Sequence, residues 1–79
     1  MTLLYFAQAR QLAGVAVDEW AVSEPMSADA LWAELLTRHP ALAPLRGATR
    51  LARNGEFAAA DAVFRPGDEV ALIPPVSGG

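Results

Sequence analysis

The 79-residue chain is predicted to fold as one small α+β domain, with one main helix packed on one face of a mixed β-sheet. Three observations lead to this prediction. Strongly apolar runs open and close the chain, at residues 2–7 and 69–73. One amphipathic segment, residues 28–38, lies between them. Turn-forming Asn-Gly and Pro-Gly sequences divide the second half of the chain into short pieces.

The first elements read as two strands that a hairpin can join. Residues 2–7 are apolar at both odd and even positions, as expected for a central strand. Residues 8–14 form a connection with room for a helical turn. Residues 15–22 are predicted to be a second strand, and the adjacent Asp18 and Glu19 favour an edge position for it.

The main helix is predicted over residues 28–38, where apolar side chains recur four positions apart. Ser27 is a good N-cap, and Asp29 in the first turn complements the helix dipole. Pro40 ends the helix at or before the preceding residue. Residues 41–47 are predicted to be a loop.

The second half of the chain alternates short strands and turns. Residues 49–53 are a strand candidate, followed by the strong turn signal Asn54-Gly55. Residues 56–64 give an ambiguous pattern, with one weak strand around Phe57 and a second apolar spot at residues 63–64. Residues 65–68 form a turn with proline at its second position. Residues 69–73 are the last strand. In this element order the first and last strands can pair in parallel, which fits the β-grasp (ubiquitin-like) arrangement.

Composition and charge exclude several classes of partner. The net charge is −3 and no basic cluster occurs, so we expect neither nucleic acid nor a membrane as a partner. No apolar run is long enough to cross a bilayer and no signal-peptide pattern is present, so a cytoplasmic location is expected. The chain has no cysteine, and all six basic residues are arginine. It therefore offers no side-chain thiolate, and no lysine through which copies of it could be linked.

The usual catalytic and metal-binding patterns are missing. His39 is the sole histidine, and we assign it to the C-terminal end of the helix rather than to catalysis or a metal site. The pairs Asp18-Glu19 and Asp68-Glu69 point to opposite faces of their strands, and we interpret both as solvated. No glycine-rich phosphate-binding motif occurs. We therefore predict no metal site and no bound cofactor. Four large aromatic residues are assigned to packing in the core or at an interface: Trp20, Trp32, Phe57 and Phe64.

The end of the chain is its most informative segment. Residues 1–73 are predicted to form the domain, and residues 74–79, Pro-Pro-Val-Ser-Gly-Gly, a tail. Two prolines stop the strand and stiffen the chain, whereas two glycines give a tip that fits a narrow cleft. The chemical group at this tip is the carboxylate of Gly79. Such a tail suits delivery of a carboxylate into another protein's active site, and the Pro-Pro makes simple terminal fraying a weaker interpretation.

Taken together, these segments resemble the small subunit of molybdopterin synthase, a family of ubiquitin-like sulfur carriers. The resemblance spans the whole chain. It rests on Leu-Leu-Tyr-Phe-Ala at residues 3–7, Leu-Ala-Gly at 12–14, Asn-Gly-Glu at 54–56 and, above all, Gly-Asp-Glu-Val-Ala-Leu-Ile-Pro-Pro-Val-Ser-Gly-Gly at 67–79. Arg53 departs from the family pattern, where an apolar residue is expected before the turn.

The resemblance implies a sulfur-transfer cycle on the C-terminus. An E1-like adenylating enzyme uses ATP to convert the carboxylate of Gly79 to an acyl-adenylate, and a sulfur donor converts this to a thiocarboxylate. The tail then enters the large subunit of the synthase, which supplies the catalytic side chains. There the sulfur builds the dithiolene of molybdopterin on a cyclic pterin precursor. The chain itself would be a non-catalytic carrier without a bound cofactor, in a 2:2 heterotetramer with the large subunit.

Seven residues are expected to contact these partners, because of their place in or near the tail and because of the resemblance. They are Phe6, Ile73, Pro74, Pro75, Val76, Ser77 and Gly78. Three alternatives remain open from the sequence. One is the sulfur carrier of the thiamine pathway, another is a ubiquitin-like modifier attached to lysines of other proteins, and the third is an interaction module whose tail does no chemistry.

Overall fold

The structure, a computed structural model, describes residues 1–75. Within this range a five-stranded sheet and a two-stranded ribbon are joined by two α-helices and a 3-10 helix. The strands are β1 (Thr2–Tyr5), β2 (Val17–Glu19), β3 (Met26–Ser27), β4 (Arg50–Arg53), β5 (Glu56–Phe57), β6 (Val63–Phe64) and β7 (Glu69–Ile73). The helices are α1 (Ala7–Ala13), α2 (Ala28–Arg38) and the 3-10 helix (Pro40–Leu45).

The five-stranded sheet has the first and last strands at its centre. Its strand order is β2-β1-β7-β4-β5. β1 and β7 are parallel, with Thr2 opposite Glu69 and Tyr5 opposite Leu72, and the other three strand pairs of this sheet are antiparallel. The predicted α+β class and the parallel pairing of the first and last strands are confirmed. β3 and β6 form the separate ribbon, with Met26 opposite Phe64.

The core lies between the sheet and α2. Alternate residues of β1 and β7 face it, and Leu3, Val70 and Leu72 are fully buried there. From α2, Leu31 and Leu35 are also fully buried, four positions apart on one face of the helix. Further buried hydrophobic residues complete the core: Met1, Tyr5, Ala9, Trp20, Trp32, Leu42 and Phe64. Of the four aromatic residues assigned to packing, Phe57 alone is exposed, at 56%.

α2 begins and ends where the sequence predicts. The hydroxyl of Ser27 accepts a hydrogen bond from the amide of Ala30 at 3.1 Å, which satisfies one of the free donors of the first turn. At the other end the amide of His39 donates to the carbonyl of Leu35. Pro40 follows at once and has no amide hydrogen with which to extend the helix.

Tertiary packing extends or shortens several other elements. Residues 7–13 form a complete helix rather than a connection with one turn; Ala9 is buried at its centre, and Gly14 closes it with a φ of 78°. The second strand covers only 17–19, since β1 offers it just three partners. Residues 40–45 form a 3-10 helix rather than a loop, with Leu42 anchored in the core. The ribbon strand β3 was not expected, because its two residues carry no pattern of their own.

Asp18 is not a solvated carboxylate, in contrast to the expectation. It lies opposite Leu3 and therefore on the core face of the sheet, where it is half-buried. Its Oδ2 accepts the hydroxyl of Tyr5 at 2.8 Å and lies 2.7 Å from Nε2 of His39. Burial alone would raise the pKa of Asp18, but the hydrogen bonds from His39 and Tyr5 outweigh it and hold the pKa below its usual range. Burial raises the pKa of the Tyr5 hydroxyl, and the hydrogen bond to the Asp18 carboxylate raises it further.

Asp68 lies at the surface, as expected, but its carboxylate also has a structural role. It accepts hydrogen bonds from the amide of Arg65 at 2.8 Å and from Nδ2 of Asn54 at 3.0 Å. The hydrogen bond from the Arg65 amide lowers the pKa of Asp68, and the bond from Asn54 lowers it further by a smaller amount. They join the turn before β7 to the turn after β4. The unexpected Arg53 also has a local role, since its Nη1 donates to the carbonyl of Val63 at 2.6 Å.

We predict that Asp18→Ala destabilises the fold by about 1–3 kcal/mol at pH 7, because it leaves the buried hydroxyl of Tyr5 without its acceptor. For a domain of this size each kcal/mol lowers the melting temperature by about 4–8 °C. Thermal and denaturant unfolding measure the change. Glu24→Ala is the matched control, because Glu24 is exposed; its effect should stay within about 0.5 kcal/mol.

The same variant tests the charge of Asp18. Because the pKa of Asp18 is lower in the folded chain than the value of about 3.9 in the unfolded chain, the unfolded chain takes up the proton first. The stabilisation from the ionised carboxylate is therefore complete above this pH and is lost on further acidification. The difference in unfolding free energy between wild type and Asp18→Ala should narrow from pH 6 to pH 2. An equal difference at both pH values would show that the charge contributes nothing.

Candidate functional site

The candidate site lies on the face of the sheet opposite the core, here called the open face. The strand registers align one residue from each of the five strands in a row across it. All are apolar. In spatial order, this apolar row consists of Val17, Leu4, Ala71, Ala52 and Phe57.

Large side chains of the open face are exposed to solvent. Val17 is 51% exposed and Phe57 56%, and these two residues form the ends of the apolar row. Phe6, which follows β1 with extended backbone, is 49% exposed. A contiguous apolar surface of this kind, rimmed by polar residues, is typical of a protein–protein contact. The open face is therefore a candidate interaction surface.

Charge is distributed unevenly along the strands of the open face. At the end of the strands where β7 begins, Thr2 lies opposite both Glu19 and Glu69. This end of the open face is called the acidic edge. At the other end of the strands, where β7 ends, Arg50 lies opposite Ile73. This end of the open face is called the basic edge. The guanidinium carbon of Arg50 is 3.7 Å from the centroid of the Phe57 ring, a cation–π contact. The apolar row therefore separates an acidic edge from a basic one.

The root of the tail lies at the basic edge. β7 ends at Ile73, and the parallel register that pairs Tyr5 with Leu72 brings Phe6 beside Ile73. The structure thus brings together two of the residues expected to contact partners, with Phe6 exposed and Ile73 half-buried. Their role in binding stays a prediction. The other expected residues of the tail tip lie outside the described range: Val76, Ser77, Gly78 and Gly79.

The two prolines at the start of the tail have different environments. Pro74 continues the alternation of Val70 and Leu72 and is buried, whereas Pro75 is exposed. The sequence treats both prolines as part of a tail outside the core, which needs correction for Pro74. Its ring belongs to the core and fixes the point from which the tail leaves. Pro75 is the first residue of the tail that is exposed and can contact a partner.

Most of the open face escaped the sequence analysis. The sequence singles out only two members of the apolar row: Phe57, assigned to packing in the core or at an interface, and Leu4, part of a strand that is apolar on both faces. It does not single out Arg50. Apolar residues on both faces predict a strand buried on both sides. A signal was available, because a single main helix can cover only one face of a sheet and leaves the other apolar face exposed.

The described part of the chain offers no alternative site of a recognisable kind. No helix in residues 1–75 is long and apolar enough to span a membrane. In the same range, no three side chains among His, Cys, Asp and Glu are grouped so that they could hold a metal ion. Asp18, His39 and Tyr5 are joined to each other, and Asp68 to a turn.

A β-grasp body with an exposed apolar face beside the root of a Gly-Gly tail defines the class of ubiquitin-like carriers and modifiers. Residues 3–79 match the ThiS family model, and the chain belongs to this family. The human molybdopterin synthase sulfur carrier subunit is 40% identical over 80 residues, which cover 98% of this chain and 91% of the human protein. This confirms the family resemblance found in the sequence.

Solved structures agree on the fold. The crystal structure of SAMP1, small archaeal modifier protein 1 from Haloferax volcanii, superposes with a TM-score of 0.83 at 32% identity, covering 99% of this chain and 97% of that one. A second neighbour is the protein–protein complex of subunits 1 and 2 of molybdopterin-converting factor from Helicobacter pylori. It has a TM-score of 0.67 at 20% identity and covers 99% of this chain and 96% of the other. At that identity the likeness supports the β-grasp fold alone.

We predict unequal effects on stability for substitutions of the two prolines. Pro74→Ala should lower the unfolding free energy by about 1–2 kcal/mol, because it removes roughly two buried methylene groups. Pro75→Ala should change it by less than about 0.5 kcal/mol, since this ring is exposed. Denaturant unfolding of both variants makes the comparison. Equal stability of the two variants would contradict the burial of Pro74.

Proposed function

We propose that this chain is the sulfur carrier subunit of molybdopterin synthase and carries sulfur as a thiocarboxylate on Gly79. The observation that carries this proposal is the position of the tail root, at one edge of an exposed apolar face. A partner that docks on the open face receives the tail at a fixed place. The family membership and the human sulfur carrier subunit support the same function.

The chemistry assigned to Gly79 requires activation in two steps. A carboxylate is a poor electrophile, so its oxygen first attacks the α-phosphate of ATP, bound by the adenylating enzyme, and pyrophosphate leaves. Sulfur from a donor then attacks the acyl carbon and displaces AMP, which leaves a thiocarboxylate. In the large subunit the thiocarboxylate sulfur displaces an oxygen leaving group from a carbon of the pterin precursor. Water then hydrolyses the acyl–sulfur bond, so the sulfur stays on the pterin and Gly79 returns to the carboxylate form. Because the chain has no cysteine, the C-terminus is the place where it can carry sulfur.

The body of the chain supplies docking rather than catalysis in this proposal. Its most perturbed carboxylates, Asp18 and Asp68, are occupied by structural hydrogen bonds, and His39 contacts Asp18. The catalytic side chains are therefore expected on the large subunit, in a 2:2 assembly with this chain. The open face is the expected contact surface, with Phe6 and Ile73 at the tail root and Pro75, Val76, Ser77 and Gly78 in the tail. Pro74 contributes from within the core, by fixing the direction of the tail.

One specific observation favours a second candidate, a protein modifier joined to lysines of other proteins. SAMP1 is named as a modifier, and its structure superposes on almost the whole of this chain. The same acyl-adenylate at Gly79 could react with a lysine amine instead of a sulfur donor. The absence of lysine prevents chains of this protein but not its attachment to other proteins. The thiamine pathway is a third setting for the same sulfur chemistry, which the family match also supports.

Deletion of Gly79 should abolish sulfur loading and molybdopterin formation while leaving the melting temperature unchanged. Intact-protein mass spectrometry after incubation with the adenylating enzyme, ATP and a sulfur donor is the measurement. The wild-type C-terminal peptide should gain the mass difference between sulfur and oxygen, and the loaded chain should convert the pterin precursor when the large subunit is added.

Three outcomes separate the candidates. Loaded wild-type chain that converts the pterin precursor supports the proposed function. Sulfur loading without pterin conversion would favour the thiamine pathway, and attachment to lysines of other proteins would favour the modifier. Molybdopterin formation by the chain that lacks Gly79 would contradict the sulfur-carrier proposal.

The large subunit and the adenylating enzyme should compete for this chain, because both must take the same tail. We expect Phe57→Ser to weaken binding to the large subunit about tenfold or more, since Phe57 forms an exposed end of the apolar row. Val63→Ser is the matched control, an exposed apolar residue on the separate ribbon. Calorimetry and competition binding measure both effects. A stable complex of all three proteins would contradict a shared surface.

A further inference from the structure

Among residues 1–75, Arg50 is the one charged residue of the open face at the edge where the tail begins. It is exposed, and it forms no ion pair with any residue of the described range 1–75. The acidic edge, at Glu19 and Glu69, is too distant to compensate it. Arg50 lies opposite Ile73, and Ile73 is four residues from Glu69 on the same strand, a separation of roughly 13 Å. This exceeds the Debye length of about 8 Å at physiological ionic strength.

Phe57 holds the guanidinium of Arg50 in a defined place. The contact of 3.7 Å between the guanidinium carbon and the ring centroid is close to van der Waals packing, so the group lies over the aromatic ring. A guanidinium in such a contact keeps its N–H donors free at its edge, where a carboxylate can accept two parallel hydrogen bonds. The stacking also reduces the side-chain freedom that is lost on binding.

Coverage of the apolar row has a consequence for Arg50. A partner that covers Phe57 also covers the guanidinium stacked on it. Removing a charge from water without an opposite charge costs several kcal/mol, which would cancel much of the gain from covering Phe57 and Val17. A partner that binds this surface tightly must therefore provide an anion at this edge.

We propose that Arg50 binds a carboxylate side chain of the large subunit, at the mouth of the channel that takes the tail. This inference rests on the proposed function, since it deepens the docking of the open face. The ion pair fixes the orientation of the carrier, because the opposite edge of the same face is acidic and would be repelled by the same carboxylate. Arg50 thereby positions the tail without contact with the reacting atoms.

Charge reversal with a matched control tests the proposal. Arg50→Glu should weaken binding to the large subunit by roughly tenfold to a hundredfold, and Arg50→Gln by a smaller factor. Arg65→Glu makes the same change in net charge at an exposed position in the turn before β7, at the far end of that strand from the tail. The affinity of the Arg65→Glu variant for the large subunit should stay within about threefold of wild type. Calorimetry at low and high salt should show a weaker salt dependence for Arg50→Gln than for wild type.

A double-mutant cycle with Phe57→Leu tests the stacking. Leucine keeps an apolar side chain but removes the aromatic face, so Arg50→Gln should cost less in the Phe57→Leu background than in wild type. Additive effects would show that Phe57 does not position the guanidinium, and would overturn that part of the proposal.

The failure of this proposal is distinct from failure of the proposed function. If the wild-type chain does not bind the large subunit, the proposed function is wrong. If the wild type binds and Arg50→Glu equals Arg65→Glu, the proposal for Arg50 is wrong and the proposed function stands. A loss confined to adenylation, with normal binding of the large subunit, would place the anion on the adenylating enzyme or its nucleotide and would also overturn the proposal.

Discussion

The parallel pairing of β1 with β7 is the interaction on which the rest of the structure depends. It joins the two ends of the chain at the centre of the sheet and buries Leu3 beside Val70, and Tyr5 beside Leu72, against α2. Parallel strands need a crossover connection, and the residues between them supply the helix and the outer strands. The same register decides the site, because it brings Phe6 to the point where β7 ends and the tail leaves.

The polar residues of the body are used for structure, which leaves chemistry to the tail. Asp18 links β2 to Tyr5 on β1 and to His39 at the end of α2, while Asp68 links two turns around β7. Both carboxylates have lowered pKa values because they accept hydrogen bonds. A rigid body with occupied polar groups is well suited to present a reactive terminus, since it holds the tail root without competing for the reagent carried there.

The open face combines non-directional and directional contacts. The apolar row offers area, which drives association but permits sliding along the surface. The separation of the carboxylates at one edge from Arg50 at the other gives the face a polarity along the strands. Electrostatic complementarity of this kind contributes more to orientation than to raw affinity. The orientation matters here, because a tail that enters a narrow channel must start from a fixed root such as Pro74.

The sequence by itself determined the elements with strong local signals and the family to which the chain belongs. Ser27 and Pro40 bound the helix through capping and a missing amide, and the motif at 67–79 identified the family. Tertiary structure alone decided the rest. Asp18 shares a face with Leu3 through strand register, and Phe57 and Arg50 meet on the open face because β4 and β5 pair there. Such neighbours are distant or unpatterned in sequence, and only the pairing of strands fixes which side chains share a surface.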